Sequence, residues 1–221
     1  AFEGLTLELE VLALAEADGF AAKVRAQGAR SDDQLIWSFG GATRCHHVSN
    51  AFDPVVLDQH SDHFNRLSPV LRQCFQPGDC AGNRVRIEAD RFMLSPPGET
   101  GHTVAGRCTA GVLRVADAVG WAQPAAFIVQ PPGELPLVCG IVHLKDAGEI
   151  RWVVEAFSAP PDFSRNIDAP ESALARAAQR VDALASRIVV ETPEPRLDAG
   201  VAAACYAMDS VYYPPVYVHG A

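Results

Sequence analysis

Residues 6 to 15 read Thr6-Leu7-Glu8-Leu9-Glu10-Val11-Leu12-Ala13-Leu14-Ala15, and the alternation that opens this stretch decides the fold. Leu5, Leu7, Leu9 and Val11 fall on one side and Thr6, Glu8 and Glu10 on the other, the two-residue period of a half-buried strand. A turn at Glu16-Ala-Asp-Gly19 lets Phe20 to Ala26 return as the antiparallel partner. A third strand follows in Gln34-Leu-Ile-Trp-Ser-Phe39, with Trp37 and Phe39 on one face, and ends at Gly40-Gly41 where the backbone can turn sharply. The opening of the chain is therefore antiparallel sheet of the sandwich kind.

Strand signals resume at Arg84–Glu88 and Arg91–Leu94 and continue through Thr103–Cys108, Leu113–Ala116, Ala126–Val129, Leu137–Leu144 and Glu149–Phe157. Gly and Pro punctuate them, and short strands so spaced predict a mainly β fold, an antiparallel β-sandwich over residues 1–160. At Ser158-Ala-Pro-Pro-Asp162 the composition changes. Asp168-Ala-Pro170-Glu-Ser opens a helix with proline in its first turn and acids at its positive end, and Leu174, Ala177, Val181, Leu184 and Ile188 recur at helical spacing. Thr192-Pro-Glu-Pro195 reads as a linker into a second amphipathic helix carrying Leu197, Val201, Ala204, Cys205 and Met208. Residues 161–208 thus form a helical linker that delivers Asp209.

Between Ala42 and Gly82 the alternation dissolves. Cys45, His46, His47, His60 and His63, with Asp53 and Asp58 between them, are all metal-ligating types, but their spacing matches no metal motif. A metal-free surface loop over a cleft is expected. Cys74 and Cys80 bracket a turn and could close a small disulfide loop, while the other cysteines alternate with apolar residues as core thiols. The net charge of −9 over 221 residues, with acids and bases interspersed, argues against nucleic-acid binding. No apolar run approaches the ~20 residues of a membrane span, so no membrane insertion is expected.

The segment Asp209-Ser-Val-Tyr-Tyr-Pro-Pro-Val-Tyr-Val-His-Gly-Ala221 gathers three tyrosines, an aspartate and a histidine around a Pro-Pro pair. Tyrosine offers a flat apolar body with a polar tip, suited to stacking on a sugar ring. The prolines fix an extended elbow, and Val216 and Val218 read as the opening of another packed element. Such a segment reads as internal, and the polypeptide is expected to be a piece of a larger protein.

The residues Leu35-Ile-Trp-Ser-Phe-Gly-Gly-Ala42, Cys80-Ala-Gly-Asn83, Thr192-Pro-Glu-Pro195 and Asp209 to Ala221 fall in an order that resembles a bacterial glycoside-hydrolase-like family, catalogued as domain of unknown function 4450. Asp209, Pro215, Tyr217, His219, Gly220 and Ala221 match its closing motif, and Tyr212 stands where that family usually has Trp. The resemblance implies a β-sandwich, a helical linker and then an (α/α)6 barrel that begins at 209–221 and is largely absent here. It implies a carbohydrate substrate, no cofactor, a periplasmic or secreted location, and packing of this part on the barrel.

Asp209, Tyr212, Tyr213 and His219 are then the candidate substrate-binding residues, one wall of a sugar cleft. Hydrolysis needs two carboxylates flanking the bond. Only Asp209 has a suitable place, so no catalytic residue is assigned and the chain alone is expected to be inactive. A polysaccharide lyase, with Tyr213 and His219 in acid–base roles, is the nearest alternative. A non-catalytic carbohydrate-binding sandwich would use Trp37, Trp121 or Trp152 as its platform, although apolar alternation assigns these mostly to the core.

Overall fold

The computed structural model describes residues 4–40, 77–98, 103–123, 125–129, 131–157, 165–210, 212–213 and 216–217. The strands are β1 (Thr6–Ala13), β2 (Gly19–Gln27), β3 (Gln34–Phe39), β4 (Arg84–Glu88), β5 (Arg91–Ser95), β6 (Thr103–Cys108), β7 (Val112–Asp117), β8 (Pro136–His143) and β9 (Glu149–Phe157). They build two antiparallel sheets, a large one in the order β1-β2-β9-β6-β5-β4 and a small one in the order β3-β8-β7. The fold is a mainly antiparallel β-sandwich followed by helices.

Pairing register decides which side chains face inward. Ala22 lies across from Trp152 and Val24 across from Ile150, and this face packs on the small sheet with Val142, Leu144, Leu35 and Trp37. At its centre Trp37 meets Trp152 edge-on at 6.0 Å and Phe92 at 6.0 Å, and Phe39 lies 6.2 Å from Phe92. Two glycines make room for these rings. A Cβ on Gly140 would come within 2.2 Å of the Trp37 ring, and one on Gly106 within 2.4 Å of Phe92. Each glycine is the cross-strand partner of the ring that covers it, so the aromatic face fills the space that a missing side chain leaves.

The same register overturns one expectation. Leu7, Leu9 and Val11 do share a face, but they are 47%, 67% and 53% exposed rather than half-buried. The small sheet has three strands against six, and β7 and β8 lie against β4 and β5 at the far side. The inner face of β1 therefore overhangs.

On the outer face of the large sheet Leu14, Ala21, Ala105 and Val153 pack against Ile167, Ala173 and Leu174. These last three belong to the single turn Arg165–Asp168 and to the sixteen-residue helix Pro170–Ala185, here α3 and α4; α1 and α2 are the short turns Ala126–Val129 and Leu144–Ala147. Fully burying an aliphatic side chain such as Ile167 stabilises by about 1.5–3 kcal/mol, so the first helical segment behaves as part of the sandwich core. Ile188, expected on the helix's apolar stripe, lies beyond its end and is exposed. The rest of that outer face is a charged lattice: Lys23–Glu10 at 2.5 Å, Arg25–Glu149 at 2.6 Å, Arg151–Glu149 at 2.7 Å and Arg107–Asp90 at 2.7 Å. Burial pushes the Glu149 carboxyl up, but the Arg25 hydrogen bond and the charges of Arg151, Arg25 and Lys23 outweigh it. They hold the group below the usual glutamate range.

Ala126–Val129, expected as a strand, is instead the helical turn α1. It follows the 3-10 turn Ala118–Ala122, which Asp117 caps by accepting from the Val119 N–H at 2.8 Å. Local bonds from Ala126 N–H to the Gln123 carbonyl and from Ile128 N–H to Ala125 close the segment on itself, and Phe127 plugs the small sheet's outer face beside Cys139 and Leu137. The end of the polar excursion also differs from a surface loop. Residues Pro77–Cys80 form a 3-10 turn with Asp79 and Cys80 buried, and Asn83 donates to the Pro136 carbonyl at 3.3 Å. Residues 42–76 of that excursion lie outside the described residues. Among the described residues no helix is long and apolar enough to cross a membrane.

Candidate functional site

The second long helix, α5 (Pro195–Ser210), begins where the sequence suggested a plain linker. The Thr192 hydroxyl donates to Asp198 at 2.9 Å, the Glu194 carboxylate accepts from the Arg196 N–H at 3.1 Å, and Pro195 takes the first helical position. The Glu194 contact satisfies a backbone donor that a helix start leaves unpaired, Pro195 has no such donor to satisfy, and the Thr192 bond ties the preceding segment to the first turn. Cys205 is the buried member of the expected stripe, whereas Leu197 and Met208 are 60% and 55% exposed.

Asp209 sits in the last turn of α5, where a negative charge meets the negative end of the helix dipole. Two cations offset this. Arg180 of α4 donates from Nη2 to Asp209 Oδ2 at 2.5 Å, and Arg187, just past α4, places Nη1 3.8 Å from Oδ1. Arg180 also reaches the Leu14 carbonyl at 3.5 Å, tying sheet, α4 and α5 at one point. Asp209 is thus a held carboxylate at a helix junction. The sequence places Arg180 on the outer face of its helix but links neither arginine to Asp209, because each lies more than twenty residues away with nothing local to connect them.

Beyond Asp209 two short strands pair. β10 (Tyr212–Tyr213) pairs antiparallel with β11 (Val216–Tyr217), Tyr212 across from Tyr217 and Tyr213 across from Val216, with Pro214-Pro215 between the strands in sequence. The structure thus brings two tyrosines into cross-strand register a few residues after the held carboxylate. His219 lies outside the described residues. So do Cys45, His46, His47, Asp53, Asp58, His60, His63 and Cys74.

The buried carboxylate of Glu155 accepts from Asn166 Nδ2 at 3.2 Å, and Asn166 Oδ1 accepts from Arg176 at 2.5 Å. This chain pins α3 and α4 to β9. Among the described residues no group of three His, Cys, Asp or Glu side chains is placed to hold a metal. Cys108 and Cys139 are buried, and burial pushes both thiols up to about 11, so they stay protonated core residues as expected.

Trp37 and Trp152 are core residues whose buried indole N–H groups find no oxygen or nitrogen acceptor among the described residues. Trp121 departs from the expectation of core packing: it is 44% exposed on the 3-10 turn Ala118–Ala122. The sequence matches no protein-family model and no curated protein.

Proposed function

We propose that this chain is the sandwich-and-linker part of a glycoside hydrolase acting on polysaccharides or oligosaccharides, exported from the cytoplasm. The observation that carries the reading is the junction after the sandwich. A carboxylate held by Arg180 and Arg187 is followed in the chain by a two-stranded ribbon that sets Tyr212 across from Tyr217. An ionised carboxylate accepts hydrogen bonds from sugar hydroxyls, and tyrosine rings stack on the apolar face of a pyranose. The order of a sandwich, two helices and the Asp209–Ala221 motif supports the same family resemblance.

Bond cleavage is assigned elsewhere. Glycosidases place two carboxyl groups about 5–5.5 Å apart when retaining and about 6.5–9.5 Å apart when inverting. Asp209 is committed to two arginines, so the acid and its partner belong to a barrel that packs on α5, whose exposed Leu197 and Met208 suit that contact.

The test compares residues 1–221 with the complete open reading frame on a panel of plant and bacterial polysaccharides. Release of reducing sugar by the complete protein, and none by residues 1–221, is the expected result. Robust turnover by residues 1–221 overturns the division of labour. Unsaturated uronate products from the complete protein would replace hydrolase by lyase, and a gene that stops after Ala221 would leave a binding module.

A further inference from the structure

Leu7, Leu9 and Val11 lie across from Ala26, Val24 and Ala22, so they occupy the face that becomes core one strand further in. An open groove of about 480 Å3 runs between β1 and β3, lined by Leu5, Leu7, Leu35, Ile36 and Leu144 together with Asp33 and Gln34. Among the described residues β1 and β3 are each the end strand of their sheet. Each therefore turns a row of backbone N–H and C=O groups outward. An apolar floor flanked by an open backbone edge is the imprint of an added strand.

Charge indicates which strand. On the opposite face of the large sheet the side chains form cross-strand rows: Glu8 across from Arg25 and Arg25 across from Glu149, with Glu10 across from Lys23 and Lys23 across from Arg151, whose charge Glu149 offsets. Both rows end at β1 on a carboxylate. Glu10 pairs with Lys23, while Glu8 makes no ion pair among the described residues. Opposite charges across neighbouring strands stabilise a sheet and like charges destabilise it, so the next strand outward calls for cations at these two positions.

A second copy of the chain fails that requirement. An antiparallel β1–β1 pairing that keeps the apolar faces together and sets Leu9 on Leu9 puts Glu8 across from Glu10. Shifting by one pair puts Glu8 on Glu8 or Glu10 on Glu10. The acids block self-pairing of an otherwise sticky edge.

We propose that β1 is a docking edge for an extended segment of a partner polypeptide in which apolar and basic residues alternate. The segment adds to the large sheet by main-chain hydrogen bonds, covers Leu7, Leu9 and Val11, and sets Lys or Arg against Glu8 and Glu10. This inference is independent of the carbohydrate reading.

The test titrates the whole 221-residue chain into a fluorescein-labelled octapeptide of alternating valine and lysine, followed by anisotropy. Expected are saturable binding, about tenfold weakening at high salt or in Glu8→Lys, and slowed amide exchange over Thr6–Ala13. A valine–glutamate octapeptide is expected to bind only the Glu8→Lys/Glu10→Lys variant. Leu9→Asn, at an exposed position, is expected to weaken binding of the basic peptide with an unchanged melt. The proposal is overturned by absent binding, by equal binding of a peptide with the same residues in blocks, or by unchanged exchange in β1. It is equally overturned by a dimer of the parent that Leu9→Asn dissociates, which would make a second copy the occupant.

Discussion

Replacing Gly140 with alanine tests whether the ring of Trp37 is held by the shape of the core. The new methyl would lie 2.2 Å from Trp37 Cε2 and 2.2 Å from Nε1, and an ordinary contact begins near 3.4 Å, so one partner must retreat by about 1.2 Å. Backbone pairing on both sides, to Trp37 of β3 and Leu113 of β7, keeps Gly140 in place. The indole is confined by Phe92 and Trp152, each 6.0 Å away. Overpacking a filled core costs about 1–3 kcal/mol, and loosening one or two aromatic pairs adds about 0.5–1.5 kcal/mol each. The expected destabilisation is about 2–4 kcal/mol, a fall in Tm on the order of 10 °C for a chain of this size. Urea unfolding followed by far-UV circular dichroism measures it without depending on tryptophan emission. Gly200→Ala is the control, because a methyl there meets nothing within 4 Å in an exposed helix and should stabilise by about 0.5–1 kcal/mol. Trp37→Leu should absorb the Gly140→Ala methyl, so the double variant should lose less than the two single losses combined. A Gly140→Ala protein within about 0.5 kcal/mol of the parent would refute the idea that the glycine exists for the ring.

Three further outcomes are expected. The carboxyl of Glu149 titrates lower in the folded chain than in the unfolded one. Its contribution is therefore complete above the ordinary glutamate range and is lost as pH falls through the folded value. Glu149→Gln should flatten the acid limb of the stability curve, and parallel limbs would contradict this. Alkylation at pH 8, read peptide by peptide, should leave Cys108 and Cys139 unmodified until denaturant opens the fold, since both thiols titrate near 11; rapid labelling of either in native protein would show otherwise. A double-mutant cycle on Arg180→Ala and Asp209→Ala should give a coupling of about 0.5–1 kcal/mol, modest because both side chains keep some solvent contact. A coupling near zero would remove the pair as the tie between α4 and α5.

Alternation made the strands legible because it is a property of the backbone itself: Leu5 to Val11, Gln34 to Phe39 and Glu149 to Phe157 needed no knowledge of their neighbours. It also placed Trp37 and Phe39 together on one face. It could not say whether anything covers a face, so Leu7, Leu9 and Val11 read as half-buried although the small sheet stops short of them. Ala126–Val129 is four apolar residues, too short for period to separate strand from helix, and its local turn bonds decided the matter. At the candidate site Asp209, Tyr212 and Tyr213 can be named as candidates from the sequence alone. What they do to one another cannot be read there, since the arginines on Asp209 and the pairing of Tyr212 with Tyr217 arise only once the chain has folded back.

β9 is the last strand of the sandwich in sequence, yet it lies between β2 and β6 near the middle of the large sheet. The hairpin of β1 and β2 is finished at Gln27, and its permanent neighbour begins only at Glu149. Residues 28–148 have to be synthesised in between. At roughly 5–20 residues per second, that interval is on the order of ten seconds. Throughout it the second edge of the hairpin is bare, and Ala22 and Val24, buried in the finished sheet, face solvent. The nascent chain therefore offers a two-edged apolar ribbon outside the ribosome long before it can close, and holdase chaperones that recognise such segments have their longest opportunity there.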